Sequence, residues 1–329
     1  DSGATERAKQ LRHRLATAIG HFDRSQLLAA RDTPGDVGTS LTTPTELLRS
    51  SPLAVAIAAI QRVQEALRSL EEYSKVVSSE LAGQFESLRY DCYSLAQRFE
   101  TTALRAARIS NAQLYVLVDC AAPMTLWQQQ VLALVGAGTH IIQIRDKQID
   151  DRQLWERVAW ASQTIRADRG PGNCQLIIND RADIALAVDA DGVHVGQEEL
   201  PVKAVRQLLG PDKLIGLSTH DLSQAQEAES LDVDYIGCGP TFPSNTKSFE
   251  NFAGLTFLAE VAAKISLPAF AIGGITLNNL DQVLATGFTR VAVSHAVWGH
   301  PEMANQAAAF KERLLVNNSP PTSTPRALQ

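Results

Sequence analysis

No uncharged apolar run in this sequence approaches the roughly 18 residues a membrane-spanning helix needs, so no membrane segment is predicted. Cysteine is scarce: Cys92, Cys120, Cys174 and Cys238 stand far apart and form no Cys-x-x-Cys pair. That spacing argues against a zinc site or a disulfide framework and for a reducing, cytoplasmic setting. A surplus of positive charge is also missing. With a formal net charge of -6 there is no overall field to attract polyphosphate chains, which excludes a general nucleic-acid binder but leaves room for cations inside a pocket. The chain opens Asp1-Ser2-Gly3-Ala4-Thr5 with neither an initiator Met nor a signal peptide. The expectation is that it begins inside a longer protein.

Residues 1–109 contain almost no strand signal. From Ala54 to Leu81 apolar residues recur near a 3.6 period (Val55, Ile57, Ile60, Val63, Leu67, Leu70), and Ser51-Pro52 supplies a start signal, so one helix is expected over 53–81. The Asp- and Pro-Gly-containing stretch Ala30–Thr39 is turn chemistry. Shifted by 77 residues, Leu11-Arg12 falls on Leu88-Arg89, Leu27 on Leu104, and Ala29-Ala30-Arg31 on Ala106-Ala107-Arg108. These matches suggest an internal repeat whose first copy is truncated at the N-terminus.

From Asn111 the pattern alternates. Strands are expected at 113–119, 139–145, 175–179, 192–196, 213–218, 235–239, 268–273 and 290–297, with amphipathic helices between them at 126–136, 151–166, 181–188, 202–209, 222–230, 255–265 and 277–287. Eight strands alternating with helices predict a (β/α)8 barrel over 110–317, with a doubly wound open sheet as the alternative. Residues 318–329, rich in Pro, Ser and Thr, are expected to be disordered.

Polar clusters fall where the apolar runs end, which is where parallel barrels place their chemistry. Gln143, Arg145 and Lys147 alternate along the second strand and are expected on one side of its pleat. A guanidinium in an apolar strand needs an anion; a structural ion pair or a diphosphate clamp would each supply one. Asn179-Asp180 ends the third strand, and Glu198-Glu199 follow the fourth. Asp180 could cap the next helix, but with Glu199 it could also hold Mg²⁺ against phosphate oxygens. Ser218 ends the fifth strand as a ligand hydroxyl or a helix cap. The stiff loop Gly239–Lys247 carries Ser244, Asn245, Thr246 and Lys247; it reads as a phosphate loop with Lys247 as a point charge, or else as a solvated loop. Gly273-Gly274 offers backbone N–H groups to a second phosphate. His194, between two valines, reads as a satisfied interior histidine. No carboxylate–His–Ser arrangement is legible, so no nucleophilic triad is predicted.

In order, these motifs over Leu114–Phe310 resemble thiamine-phosphate synthases: Gln143–Lys147, Asn179-Asp180, Asp191–Gln197, Gly216–His220, the Gly-Pro-x-x-Pro-x-x-Thr-Lys loop at 239–247, and Ile272-Gly273-Gly274-Ile275. The resemblance implies condensation of a pyrimidinylmethyl diphosphate with a thiazole phosphate. It implies that Gln143, Ile144, Arg145, Asp146, Lys147, Asn179, Ser218 and Lys247 hold the pyrimidine diphosphate. It also implies Mg²⁺ at Asp180 and Glu199, and thiazole phosphate at Ser244, Asn245, Thr246 and Gly274. Arg145, Lys147, Ser218 and Lys247 then carry the catalysis. Position 199 departs from the family, which more often has Asp there. The helical region resembles a domain fused ahead of this synthase in some bacterial, particularly cyanobacterial, chains; its Arg31 and Asp32 line a site or cap a turn. Two rivals are a phosphate-binding isomerase, which needs neither the Arg145/Lys147 pair nor a metal, and a non-catalytic ligand sensor. Oligomeric state is left open, a homo-oligomer included.

Overall fold

The computed structural model describes residues 2–35, 48–167, 174–243 and 253–318. The chain divides into two compact units, Asp1–Leu104 and Arg105–Gln329.

The first unit is helical: α1 (Ser2–Ile19), α2 (Arg24–Ala29), α3 (Pro52–Val77) and the first part of α4 (Ser79–Ser110). Ser51 caps α3 by accepting from the Ala54 N–H at 3.1 Å, and Pro52 occupies the first turn, where its missing N–H costs nothing. The expected helix over 53–81 ends early. Ser78 adopts an extended conformation (φ -158°) and breaks the run, and its hydroxyl accepts from the Leu81 N–H at 3.3 Å to begin α4. Apolar periodicity continues across this break because both helices turn apolar faces to one core, in which Ala18, Leu67, Phe85, Leu88 and Cys92 are buried. Arg14 of α1 pairs with Asp91 of α4. Asp32 accepts from the Gly35 N–H at 3.0 Å, so it is a turn cap; residues 36–39 lie outside the described residues.

In the second unit eight parallel strands close into a barrel: β1 (Leu114–Val118), β2 (Ile141–Ile144), β3 (Gln175–Asn179), β4 (Gly192–Val195), β5 (Leu214–Thr219), β6 (Tyr235–Cys238), β7 (Ala269–Ile272) and β8 (Val291–Val293). β8 pairs with β1, which rules out the open sheet. The helices between the strands are α5 (Met124–Gly136), α6 (Asp151–Ala167), α7 (Ala182–Ala187), α8 (Val202–Leu209), α9 (Leu222–Ala228), α10 (Gly254–Lys264) and α11 (Leu280–Leu284). A further helix, α12 (Met303–Asn318), is not among those expected. Its run Ala307-Ala308-Ala309 blurs the apolar stripe, yet Ala307, Phe310 and Leu314 are buried. β8 is shorter than expected: the Ser294 carbonyl accepts from the Val297 and Trp298 N–H groups (2.9 and 2.7 Å) and curls the chain away.

Side chains alternate strictly along the strands. One set, including Val116, Ile142, Ile144, Leu176 and Ile178, packs under the helices. The other points inward, where Tyr115, Ile141, Ile177, Leu214, Tyr235 and Phe270 form the lumen core. Ile109 and Ala112, which join that core from the end of α4 and just beyond it, close the barrel at the N-terminal end of its strands. Nearby, Arg105 meets Asp234 at 2.7 Å and Asp232 at 2.8 Å, and Arg206 meets Asp234 at 3.1 Å. Asp234 also accepts from the Ile215 N–H at 2.8 Å, so the Arg105 and Arg206 guanidiniums are met by hydrogen-bonded carboxylates.

Candidate active site

The opposite end, where the strands finish, collects the polar residues. Gln143 does not reach it. Its side chain is buried in the lumen and donates to the Tyr115 hydroxyl at 2.8 Å, and that hydroxyl lies 3.0 Å from the Tyr235 hydroxyl. Burial raises the pKa of both phenols well above the ordinary value, so both stay protonated hydrogen-bonding groups. Tyr235 and Phe270 sit edge to face at 5.6 Å, and the His194 ring lies 5.6 Å from Tyr235. Two glycines make this possible. A Cβ on Gly216 would overlap both Tyr235 and His194, and one on Gly237 would come within 3.3 Å of the His194 ring.

His194 is only half satisfied, which corrects the expectation of a fully partnered interior ring. Its Nε2 lies 3.0 Å from the Ser218 hydroxyl, whereas its Nδ1 is buried with no partner among the described residues. Burial, reinforced by the positive charge of Arg145, lowers its pKa to about 4, so the ring is neutral at physiological pH. Ser218 is no helix cap. Asp221 caps α9 instead, accepting from the Gln224 N–H at 2.9 Å. Tyr115 and Tyr235 went unnoticed in the sequence; the available signal was a tyrosine on the inward phase of strands whose inward neighbours include Gly216 and Gly237.

β2 ends at Ile144, so Arg145, Asp146 and Lys147 stand just beyond it in the loop. The Arg145 N–H still reaches the Val118 carbonyl at 2.8 Å, which fixes where its side chain starts. No carboxylate lies within ion-pair distance of the Arg145 guanidinium among the described residues, so the structural ion pair weighed from the sequence is not seen there. Lys147 lies 3.2 Å from Asp180 and 3.4 Å from Glu199. Burial opposes its charge, but the two carboxylates outweigh that effect and raise its pKa.

Three consecutive strand ends thus meet at one ammonium group. Asp180 reaches this point through a left-handed backbone (φ 61°), uncommon for a residue with a Cβ, and its carboxylate accepts from the Asn179 side-chain amide at 2.6 Å. It does not cap α7, which has no side-chain cap hydrogen bond. Glu199 folds back over Gly196, where a Cβ would overlap its carboxylate. Ile144 is buried under the helices. The Asp146 carboxylate is taken up by backbone N–H groups of its own and the neighbouring loop.

Gly273 (φ 100°) and Gly274 (φ 66°) follow β7. A Cβ on Gly273 would come within 2.8 Å of Pro240, and one on Gly274 within 2.7 Å of the Phe242 carbonyl. Both glycines are therefore required by backbone conformation and by the close approach of the loop after β6. Ser244, Asn245, Thr246 and Lys247 lie outside the described residues.

The comparisons with known proteins fit this arrangement. The model of the family described as thiamine monophosphate synthase matches residues 114–297. A thiamine-phosphate synthase of Rhodopirellula baltica is 46% identical over 323 residues, covering 95% of this chain and 85% of that protein. The chain belongs to the thiamine-phosphate synthase family. It is a transferase of thiamine biosynthesis that makes thiamine phosphate. The synthase of Gloeobacter violaceus is 39% identical over 300 residues, covering 91% of this chain and 86% of that one. Among solved structures, a thiamine phosphate pyrophosphorylase from Pyrococcus furiosus is 29% identical with a TM-score of 0.56, covering 65% of this chain and 100% of its own. The model described as the ThiD2 family matches residues 1–98, the helical region. Among the described residues, no helix is long and apolar enough to cross a membrane.

Proposed function

We propose that the mouth of the barrel joins a pyrimidinylmethyl diphosphate to a thiazole phosphate, releasing pyrophosphate. The observation that carries this reading is the meeting of Lys147, Asp180 and Glu199 at three adjacent strand ends beside Arg145, which has no carboxylate partner among the described residues. An anionic leaving group supplies what Arg145 lacks. In this reading Lys147 and Asn179 bind the diphosphate with it, while Ser218 and the loop lysine Lys247 complete its surround.

The pyrimidine ring suits the floor of the mouth. There Gln143, held from below by the hydroxyls of Tyr115 and Tyr235, lies with neutral His194 under the strand ends. Electron donation from an aminopyrimidine nitrogen toward the methylene carbon favours a loose, cation-like transition state. Such a reaction asks for charge neutralisation and positioning, not for a strong base. Thiazole phosphate is assigned to Ser244, Asn245, Thr246 and Gly274, as the family resemblance implies.

The donor set fits Mg²⁺. No group of three or more His, Cys, Asp or Glu that could hold a metal occurs among the described residues. Mg²⁺, however, characteristically takes one or two protein carboxylates plus water and phosphate oxygens. Asp180 and Glu199 match that preference, and the missing Cβ at Gly196 accommodates the longer Glu199 side chain. When bound, the metal would neutralise charge on the departing diphosphate. Arg145 and Lys147 supply the remaining positive charge from the protein. A cytoplasmic location is supported by four free, buried cysteines.

The test is pyrophosphate release by the purified chain with Mg²⁺ and both substrates. Release that requires both substrates is expected. Binding without turnover would favour a sensor, and turnover of thiazole phosphate alone would favour an isomerase.

A further inference from the structure

Asp146 sits between the two residues assigned to the diphosphate, yet its own carboxylate is fully used. One oxygen accepts from the Cys120 N–H at 3.0 Å, in the loop after β1. The other accepts from the Gln148 and Ile149 N–H groups at 2.8 and 3.1 Å, in the loop after β2. A single side chain therefore stitches together the loop that carries Arg145 and Lys147 and its neighbour.

Arg157 of α6, only 9% exposed, holds the same loop after β1. Its Nη2 donates to the Ala122 carbonyl at 2.8 Å, in the loop after β1. Its guanidinium lies 5.4 Å from the centroid of the fully buried Trp127 ring, and Trp127 donates through Nε1 to the Asp119 carbonyl at 2.8 Å. Nη1 is buried without a hydrogen-bond partner among the described residues. An arginine so placed leaves part of its hydrogen-bonding capacity unused, and that cost needs a return. The return is field and rigidity: burial works against the Asp146 carboxylate, but the three N–H donors and the positive charge of Arg157 outweigh it and keep its pKa below the ordinary value.

We propose that Asp146 and Arg157 are positioning residues for the synthase reaction, a brace that holds Arg145 and Lys147 against the diphosphate without touching it. This rests on the diphosphate reading above, and it takes Asp146 out of the substrate-binding set implied by family resemblance. A carboxylate offers an acceptor to both loops at once; an amide of the same shape offers one oxygen and turns donor hydrogens on the other loop's N–H groups. Asp146→Asn must therefore release one loop. A misplacement of about 1 Å at a charge clamp is enough to lower turnover about a hundredfold.

The experiment compares Asp146→Asn with the parent chain. It measures inorganic pyrophosphate affinity by calorimetry, kcat, KM for each substrate, melting temperature and amide exchange. The expected result is a folded protein with pyrophosphate affinity about tenfold weaker, the loss of one or two charge-assisted hydrogen bonds. Lower kcat, an unchanged KM for thiazole phosphate and faster exchange at Cys120, Gln148 or Ile149 should accompany it. Pyrophosphate affinity and kcat within about twofold of the parent would overturn the brace. So would a parallel rise in both KM values tracking only the melting temperature, because that marks a general structural role. If Asp146→Asn does not fold, Arg157→Gln, which keeps a donor for Ala122 but removes the charge, is held to the same criteria. If the parent chain releases no pyrophosphate with both substrates, the functional reading falls by itself. The amide exchange of the variants then decides the brace independently.

Discussion

The two ends of the barrel use the same ingredients to opposite effect. At the closed end, Arg105 and Arg206 face Asp232 and Asp234, and both arginines also donate to backbone carbonyls. The side chains of Arg105 and Asp234 are only 3% and 4% exposed, so any unmatched charge there would be costly. At the open end Arg145 meets no carboxylate among the described residues, while Lys147 is shared between Asp180 and Glu199 at 3.2 and 3.4 Å. At the closed end each of these guanidiniums meets a carboxylate; at the open end both carboxylates go to Lys147 and Arg145 is left for the proposed anion. The contrast teaches that a buried or half-buried arginine in a barrel is informative through its partners, not through its presence.

That contrast can be broken by substitution at each end. The largest effect is expected from Arg145→Ala, with turnover lower by about 10²–10³, the scale for removing one preorganised charge-stabilising donor. Steady-state kinetics checks this, and melting temperature should scarcely move because no ion pair is lost. Arg105→Ala should do the reverse. It leaves Arg206 alone against both Asp232 and Asp234 and should cost about 3 kcal/mol of stability by chemical denaturation, while kcat of the folded protein is retained. Equal losses of stability from both substitutions would erase the distinction between the ends.

The smallest effect sharpens the comparison through pH. His194 has its pKa lowered to about 4 from an ordinary 6.5, by burial first and then by Arg145. Above the unfolded value both states are neutral and the residue is silent. As pH falls through 6.5 the unfolded chain takes up a proton that the folded ring refuses, so stability drops until about pH 4 and then levels. With the ring partly exposed at the mouth, the loss should be no more than about 2 kcal/mol. Thermal unfolding of the parent chain and of His194→Gln between pH 7 and 5 measures it, with a flatter profile expected for the variant.

Much of the fold was legible in the sequence. Strand positions followed from short apolar runs bounded by turn residues, and β3 runs over the expected residues, Gln175–Asn179. The break at Ser78 and helix α12 were not legible, because apolar periodicity reports a shared buried face and not a continuous axis. The carboxylates Asp180 and Glu199 were visible as candidates because each follows an apolar run. Alternation places Gln143 on the same side of the strand as Arg145 but does not give its depth, and depth is what brings its amide to the Tyr115 hydroxyl. Nothing in the local pattern announced that the Asp146 carboxylate would be taken up by three N–H groups, one of them from the neighbouring loop. The double glycine offered a phosphate reading from sequence. The structure adds a second demand on it, positive φ and contact with Pro240 and Phe242.

By itself the order of residues determined which side chains end each strand, because a two-residue period and a turn signal are local properties of the chain. It also determined that the mouth would carry both cations and carboxylates. Which of those charges neutralise one another, which are taken up by backbone N–H groups, and which remain for a ligand was decided only when strands distant in sequence were brought into register. Electrostatic and hydrogen-bond energies depend on separation in space, and the closed barrel alone sets that separation.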